Sequence, residues 1–144
     1  MKREIKFRGL PTCKDKDELD YISFDRDGNF AVGFYDDGYI IGKVADASDD
    51  YIYPEFWVAV DKNTVGQYTG LYDNNGREIY ECDIITGKYP NEQEFYGQVF
   101  YDEMTQSYKV RTREYWLSSQ LAMCHNCEVV GNIFENPELL EAEK

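Results

Sequence analysis

The chain has 144 residues, a formal net charge of −13 and a sequence pI of about 4.4, a length that suits one domain able to bury roughly 70% of the surface its unfolded chain exposes. That charge opposes any function resting on the neutralisation of nucleic-acid phosphates, unless a local basic stripe exists. Aromatic residues make up 16% of the chain, which favours pleated, half-buried sheets over helix bundles.

In chain order, Glu4-Ile5-Lys6-Phe7-Arg8 alternates polar and apolar residues and predicts a first strand, ended by Gly9 to Pro11. Residues 21–24, 30–35 and 39–44 read as a β-meander, because Asp27-Gly28 and Asp37-Gly38 lie between them and glycine accepts the positive φ of a hairpin turn. Residues 45–55, rich in Asp with Ser48 and Pro54, read as an exposed, flexible loop before a strand at 56–60. Residues 65–71 and 77–80 flank the turn Asp73-Asn74-Asn75-Gly76. A short strand is expected at 83–87, and a hairpin joins 95–101 to 108–112. In 114–124 the spacing of Tyr115, Trp116, Leu117, Leu121 and Met123 predicts a short helix of about three turns. Residues 128–134 return to strand character. Asn136 is placed to cap a helical tail that starts at Pro137 and runs to Lys144. The expected fold class is mainly β, one domain over 1–144, and short strands punctuated by turns point to a barrel or sandwich.

No run of 18 apolar residues occurs, and the start Met-Lys-Arg-Glu lacks the apolar stretch of a signal peptide. A cytoplasmic protein with reduced thiols is the expectation. The basic candidates are Lys2, Arg3, Lys6 and Arg8, and the group Lys109, Arg111 and Arg113, which shares one face of an extended strand. A solvated strand face is the leading reading of that spacing.

Cys124-His125-Asn126-Cys127 could supply zinc ligands or a redox pair, but a structural zinc needs four ligands. Cys13 or Cys82 would have to arrive from distant sequence. Reduced thiols near the end of the helix are the leading reading, so no metal and no cofactor are expected. His125 is the only histidine, which leaves any His-based catalysis to a residue crowded by its neighbour Cys124. The acidic groups at 36–37, 46, 49–50 and 102–103 lack EF-hand spacing. No phosphate-binding Gly-rich loop is present. Tyr51, Tyr53, Phe56 and Trp57 beside Pro54 either form a recognition patch or fill the core.

Three segments carry a family resemblance. Arg3-Glu4-Ile5-Lys6-Phe7-Arg8 opens the chain. Gln67-Tyr68-Thr69-Gly70-Leu71-Tyr72-Asp73-Asn74-Asn75-Gly76-Arg77-Glu78-Ile79-Tyr80-Glu81-Cys82-Asp83-Ile84-Ile85 lies at the centre, and Val130-Gly131-Asn132-Ile133-Phe134-Glu135-Asn136-Pro137-Glu138-Leu139-Leu140 near the end. In this order they resemble the YopX-like family of phage and prophage proteins, while 12–62 and 88–127 match only in character. The resemblance implies a small SH3-like barrel with additional hairpins. Its motif core would span about 63–136, with strand 3–8 pairing into it and a variable β segment at 12–62. One departure stands out: the family motif has glycine where this chain has Cys82, so an ordinary β conformation is expected there.

A fold does not specify a function. The favoured expectation is a non-enzymatic, phage-encoded interaction module that assembles as an oligomer and binds a host or phage protein. Its binding residues would be Asp50, Tyr51, Tyr53 and Trp57, on an irregular segment. Two alternatives are an acidic inhibitor that mimics nucleic acid, which needs carboxylates in a phosphate-like surface array, and a metal-dependent enzyme acting on nucleic acid.

Overall fold

A computed structural model describes residues 3–112 and 119–141. Strands take 50% of the chain and helical turns 9%, so the fold is mainly β. Contacts gather into two compact units, Met1–Tyr68 and Thr69–Lys144, and the chain passes from one to the other within a single strand.

In the first unit, β1 (Phe7–Gly9), β2 (Ala31–Asp36), β3 (Tyr39–Ile41), β4 (Val44–Ala47), β5 (Ile52–Pro54), β6 (Trp57–Ala59) and the start of β7 (Gly66–Tyr72) follow one another. The sheet order is β6-β3-β2-β1-β7, all antiparallel. The β2–β3 turn is Asp37-Gly38, both at positive φ (39° and 92°), the geometry that matches strand twist in a two-residue hairpin. Leu19, Ile22, Ala31, Ile40, Phe56, Val58 and Val60 form the core. Arg8 is buried with its guanidinium 4.3 Å from the Phe30 ring. Residues 21–24 do not form a strand: only the bridge Phe24↔Ala31 and the bond from Val32 N to Ser23 O (3.0 Å) tie them to β2. The carboxylate of Asp25 instead organises a turn by accepting from Asn29 N and Phe30 N.

In the second unit, the end of β7 neighbours β8 (Glu78–Tyr80). β9 (Asp83–Lys88), β10 (Glu94–Asp102), β11 (Ser107–Arg111), β12 (Ser119–Gln120) and β13 (His125–Asn132) form a sheet in the order β12-β11-β10-β9-β13. Ile79, Ile85, Phe95, Val99, Val110, Leu121, Cys127 and Val129 are its core. β12 and β13 are its two edges, so among the described residues the sheet is open and the expected SH3-like barrel does not close.

Three further expectations change. Of the segment 114–124, residues 114–118 lie outside the described residues. The rest is β12 and a single 3-10 turn, Leu121–Met123, because pairing of Gln120 with Lys109 and burial of Leu121 outweigh the helical spacing. The tail contains one helical turn, α1 (Glu138–Glu141); residues 142–144 lie outside the described residues. The Asn136 side chain does not cap α1 but turns back to accept from Asn132 N at 3.2 Å, leaving its backbone carbonyl to receive Leu139 N. Finally, β1 is shorter than the expected strand 3–8 and lies between β2 and β7; it pairs with Gly66 and Gln67, and Tyr68 N donates to Lys6 O at 2.9 Å.

Candidate functional site: an exposed aromatic and acidic arm

Residues 45–55 are not an irregular loop. β4 pairs with β5 through Val44↔Pro54, Asp46↔Tyr53 and Ala47↔Ile52, with a bulge between Val44 and Asp46. Gly42 N donates to Phe56 O and Glu55 N to Lys43 O (2.9 and 2.7 Å), so this ladder continues the β3–β6 ladder and makes one long hairpin. Its tip closes by Ser48 N to Tyr51 O (2.9 Å), with Asp50 N donating to Ser48 Oγ. The abundance of Asp and Ser that reads as loop is the chemistry of this tip.

The arm places all four sequence-predicted residues on its surface. Asp50 is exposed at the tip. Tyr51 is exposed and its hydroxyl donates to Asp46 Oδ2 at 2.8 Å. Tyr53 and Trp57 are exposed, their rings edge-to-face with centroids 6.3 Å apart. Of the aromatics in question only Phe56 turns into the core, at 3% exposure. Ile52 and Tyr53 are successive strand residues, which point to opposite faces; they are 69% and 58% exposed. Both faces of the arm are therefore open among the described residues.

Sequence reasoning missed two parts of this surface. Val44 and Ile52 add apolar area on the arm. At the base, Phe34, Ile41 and Trp57 stand opposite one another across β2, β3 and β6, and residues opposite each other share a face. Phe34 and Tyr39 are exposed there, so the aromatic stripe runs from arm to sheet. No local pattern in 34–41 carries that signal, because the stripe forms only when β2, β3 and β6 are in register.

The other candidates are taken up by structure. Asp73 is buried: its Oδ1 accepts from Asn75 N and Arg77 N, and its Oδ2 from Val129 N at 3.0 Å. Asn74 N donates to Cys127 O. The central turn is thereby stitched to β13. Asp83 accepts from Tyr80 N at 2.7 Å, and Asn132 Oδ1 from Phe134 N and Glu135 N. Cys82 keeps a positive φ of 72°, contrary to the expected β conformation. Its N–H is held by Val99 O and its carbonyl by Ile133 N, so the hydrogen-bonding frame imposes the backbone whatever the side chain.

Cys124 and Cys127 are free thiols. Burial pushes the Cys124 thiol up to about 11, with the neighbouring Cys127 adding to the effect, and burial together with Asp73 pushes Cys127 up. Both therefore favour the unreactive thiol form. His125 Nε2 lies 3.0 Å from Glu92 Oε1. Among the described residues no three of His, Cys, Asp or Glu converge to hold a metal. Lys109 pairs with Asp102 at 2.7 Å and holds its carboxyl below the usual range. Arg111 stacks on Phe100 at 4.1 Å; Arg113 lies outside the described residues. Asp37 pairs with Lys62 at 3.1 Å. Some of the carboxylates are thus taken up in ion pairs and buried turns, while those of the arm stay exposed. No helix among the described residues is long and apolar enough to cross a membrane.

The family described as YopX protein matches residues 29–141. A crystal structure of protein EF1440 from Enterococcus faecalis is similar at a TM-score of 0.53 and 24% sequence identity, covering 95% of this chain and 98% of that one, a likeness of fold. No curated protein matches the chain. With the family matched over most of its length, the chain belongs to the YopX protein family.

Proposed function

We propose that the protein is a non-enzymatic interaction module, encoded by a phage or prophage and working in the host cytoplasm, that engages a protein partner through residues 44–57. The observation that carries this reading is the arm with both faces open, presenting Val44, Tyr51, Ile52, Tyr53 and Trp57 to solvent. Aromatic residues of this kind dominate interface hot spots. A two-stranded hairpin alone is marginal in water, so a partner packed on the arm would order it. The family motifs support the same reading from the other side, since Asp73, Asp83 and Asn132 spend their oxygens on backbone N–H groups. Oligomer assembly is the form of this reading in which the partner is a second copy.

The test is a pull-down from host lysate with the native chain and the D50A/Y51A/Y53A variant, alongside sedimentation of both. The variant is expected to melt like the native chain and to lose its captured partner or its self-association. A variant that captures the same proteins and keeps the same mass overturns the proposal.

A further inference from the structure

The chemistry of the arm narrows what it binds. Around the apolar side chains stand Asp36, Asp46, Asp49, Asp50 and Glu55, all exposed, with the Asp46 carboxylate accepting from Ala47 N and the Tyr51 hydroxyl. The cations nearby are Lys43 and Lys62, and Lys62 is engaged by Asp37. The rim is therefore strongly negative on a chain that is itself at −13. Tyr51, Tyr53 and Trp57 also offer ring faces and edges, and ring faces attract Lys and Arg. A second copy brings the same carboxylates to the same place, and like charges brought together oppose docking.

We infer that the arm and the outer face of β6-β3-β2 form one surface that takes a lysine- or arginine-rich amphipathic segment of another protein. This rests on the proposed function above and gives it a partner class. The apolar side of such a segment covers Trp57, Tyr53 and Phe34, and its basic side meets the acidic rim, which also speeds encounter.

The probe is a synthetic 14-residue amphipathic peptide of Leu and Lys, labelled for fluorescence anisotropy, with a Leu/Glu peptide of the same pattern as control. The full chain should bind the Leu/Lys peptide and not the Leu/Glu one. Neutralising the rim (D46N/D49N/D50N) should weaken binding roughly tenfold, as the summed effect of three exposed charges. Y53S/W57S should weaken it comparably. E94Q/E103Q/E128Q, which removes the same number of carboxylates outside the rim, should leave it within about twofold, the scale of salt-screened surface charges that the peptide does not contact. Equal weakening by both sets of neutralised carboxylates would mean generic charge attraction and overturn the inference. So would binding of the Leu/Glu peptide, or concentration-dependent self-association through the arm with no peptide binding. If the lysate partner is lost in D50A/Y51A/Y53A but held by D46N/D49N/D50N, the basic-partner inference fails while the interaction module stands. If neither variant loses it, both fail.

Discussion

Cys82 is an L-residue locked at φ 72°, and replacing it with glycine should stabilise the protein. The left-handed region costs an L-residue about 1–2 kcal/mol. Glycine removes that cost but adds unfolded-state entropy worth about 0.4–1 kcal/mol. The backbone has no escape, because Cys82 N donates to Val99 O at 2.8 Å and Ile133 N donates to Cys82 O at 3.0 Å; relaxing φ would break both. Cys82→Ala keeps the strain and, like glycine, loses the half-buried sulfur. The informative quantity is therefore glycine against alanine: Cys82→Gly should be more stable than Cys82→Ala by about 0.5–1 kcal/mol, against the usual strand preference for alanine of similar size. Equilibrium urea unfolding measures it, with a shift in Tm of roughly 2–4 °C for a chain of this size. An alanine variant as stable as, or more stable than, the glycine variant would refute the imposed backbone.

Asp73→Ala strips three backbone N–H groups of their acceptor, one of them buried on β13; it should cost about 3 kcal/mol in urea unfolding, and a cost under about 1 kcal/mol would remove the turn-to-strand stitch from the account. Cys124 titrates near 11 in the folded chain and near 8.5 in an unfolded one. The unfolded state therefore loses its proton first, and this contribution to stability, full below about pH 8, is lost as pH rises towards 11. Alkylation of Cys124 at pH 8 should accordingly run well below the rate of a free thiol, and an equal rate would contradict its burial. Deleting residues 1–9 removes β1 from between β2 and β7 and should abolish the cooperative melt of the first unit; a truncated chain that melts like the whole one would show that β2 and β7 do without it.

Much of the first unit was legible because its turns are written locally. Asp37-Gly38 takes the conformation its residue types demand, and the alternation of 4–8 and the apolar run 56–60 mark the strands. The arm was legible as a place but not as a structure: the side chains of Asp46 and Ser48 accept hydrogen bonds at a hairpin tip, and in sequence such residues look like a loop. Where distant partners decide, sequence was silent. The third bond of Asp73 reaches Val129, 56 residues away. The φ of Cys82 is set by β10 and by Ile133. Leu121 follows its burial into the sheet core rather than its helical spacing. The stripe of Phe34, Ile41 and Trp57 emerges only once three strands are in register.

The central claim is that partners bind the arm at 44–57 and not the motif at 67–85. Hydrogen exchange by mass spectrometry on the chain alone and on the complex captured from lysate tests it most directly. The arm's backbone bonds lie in an exposed two-stranded ladder, so its amides should exchange fast in the free chain and slow at least tenfold in the complex, a change of about 1.4 kcal/mol in opening. Peptides covering 67–85 should be unchanged. Protection confined to 67–85, with the arm still exchanging at its free rate, would contradict the account.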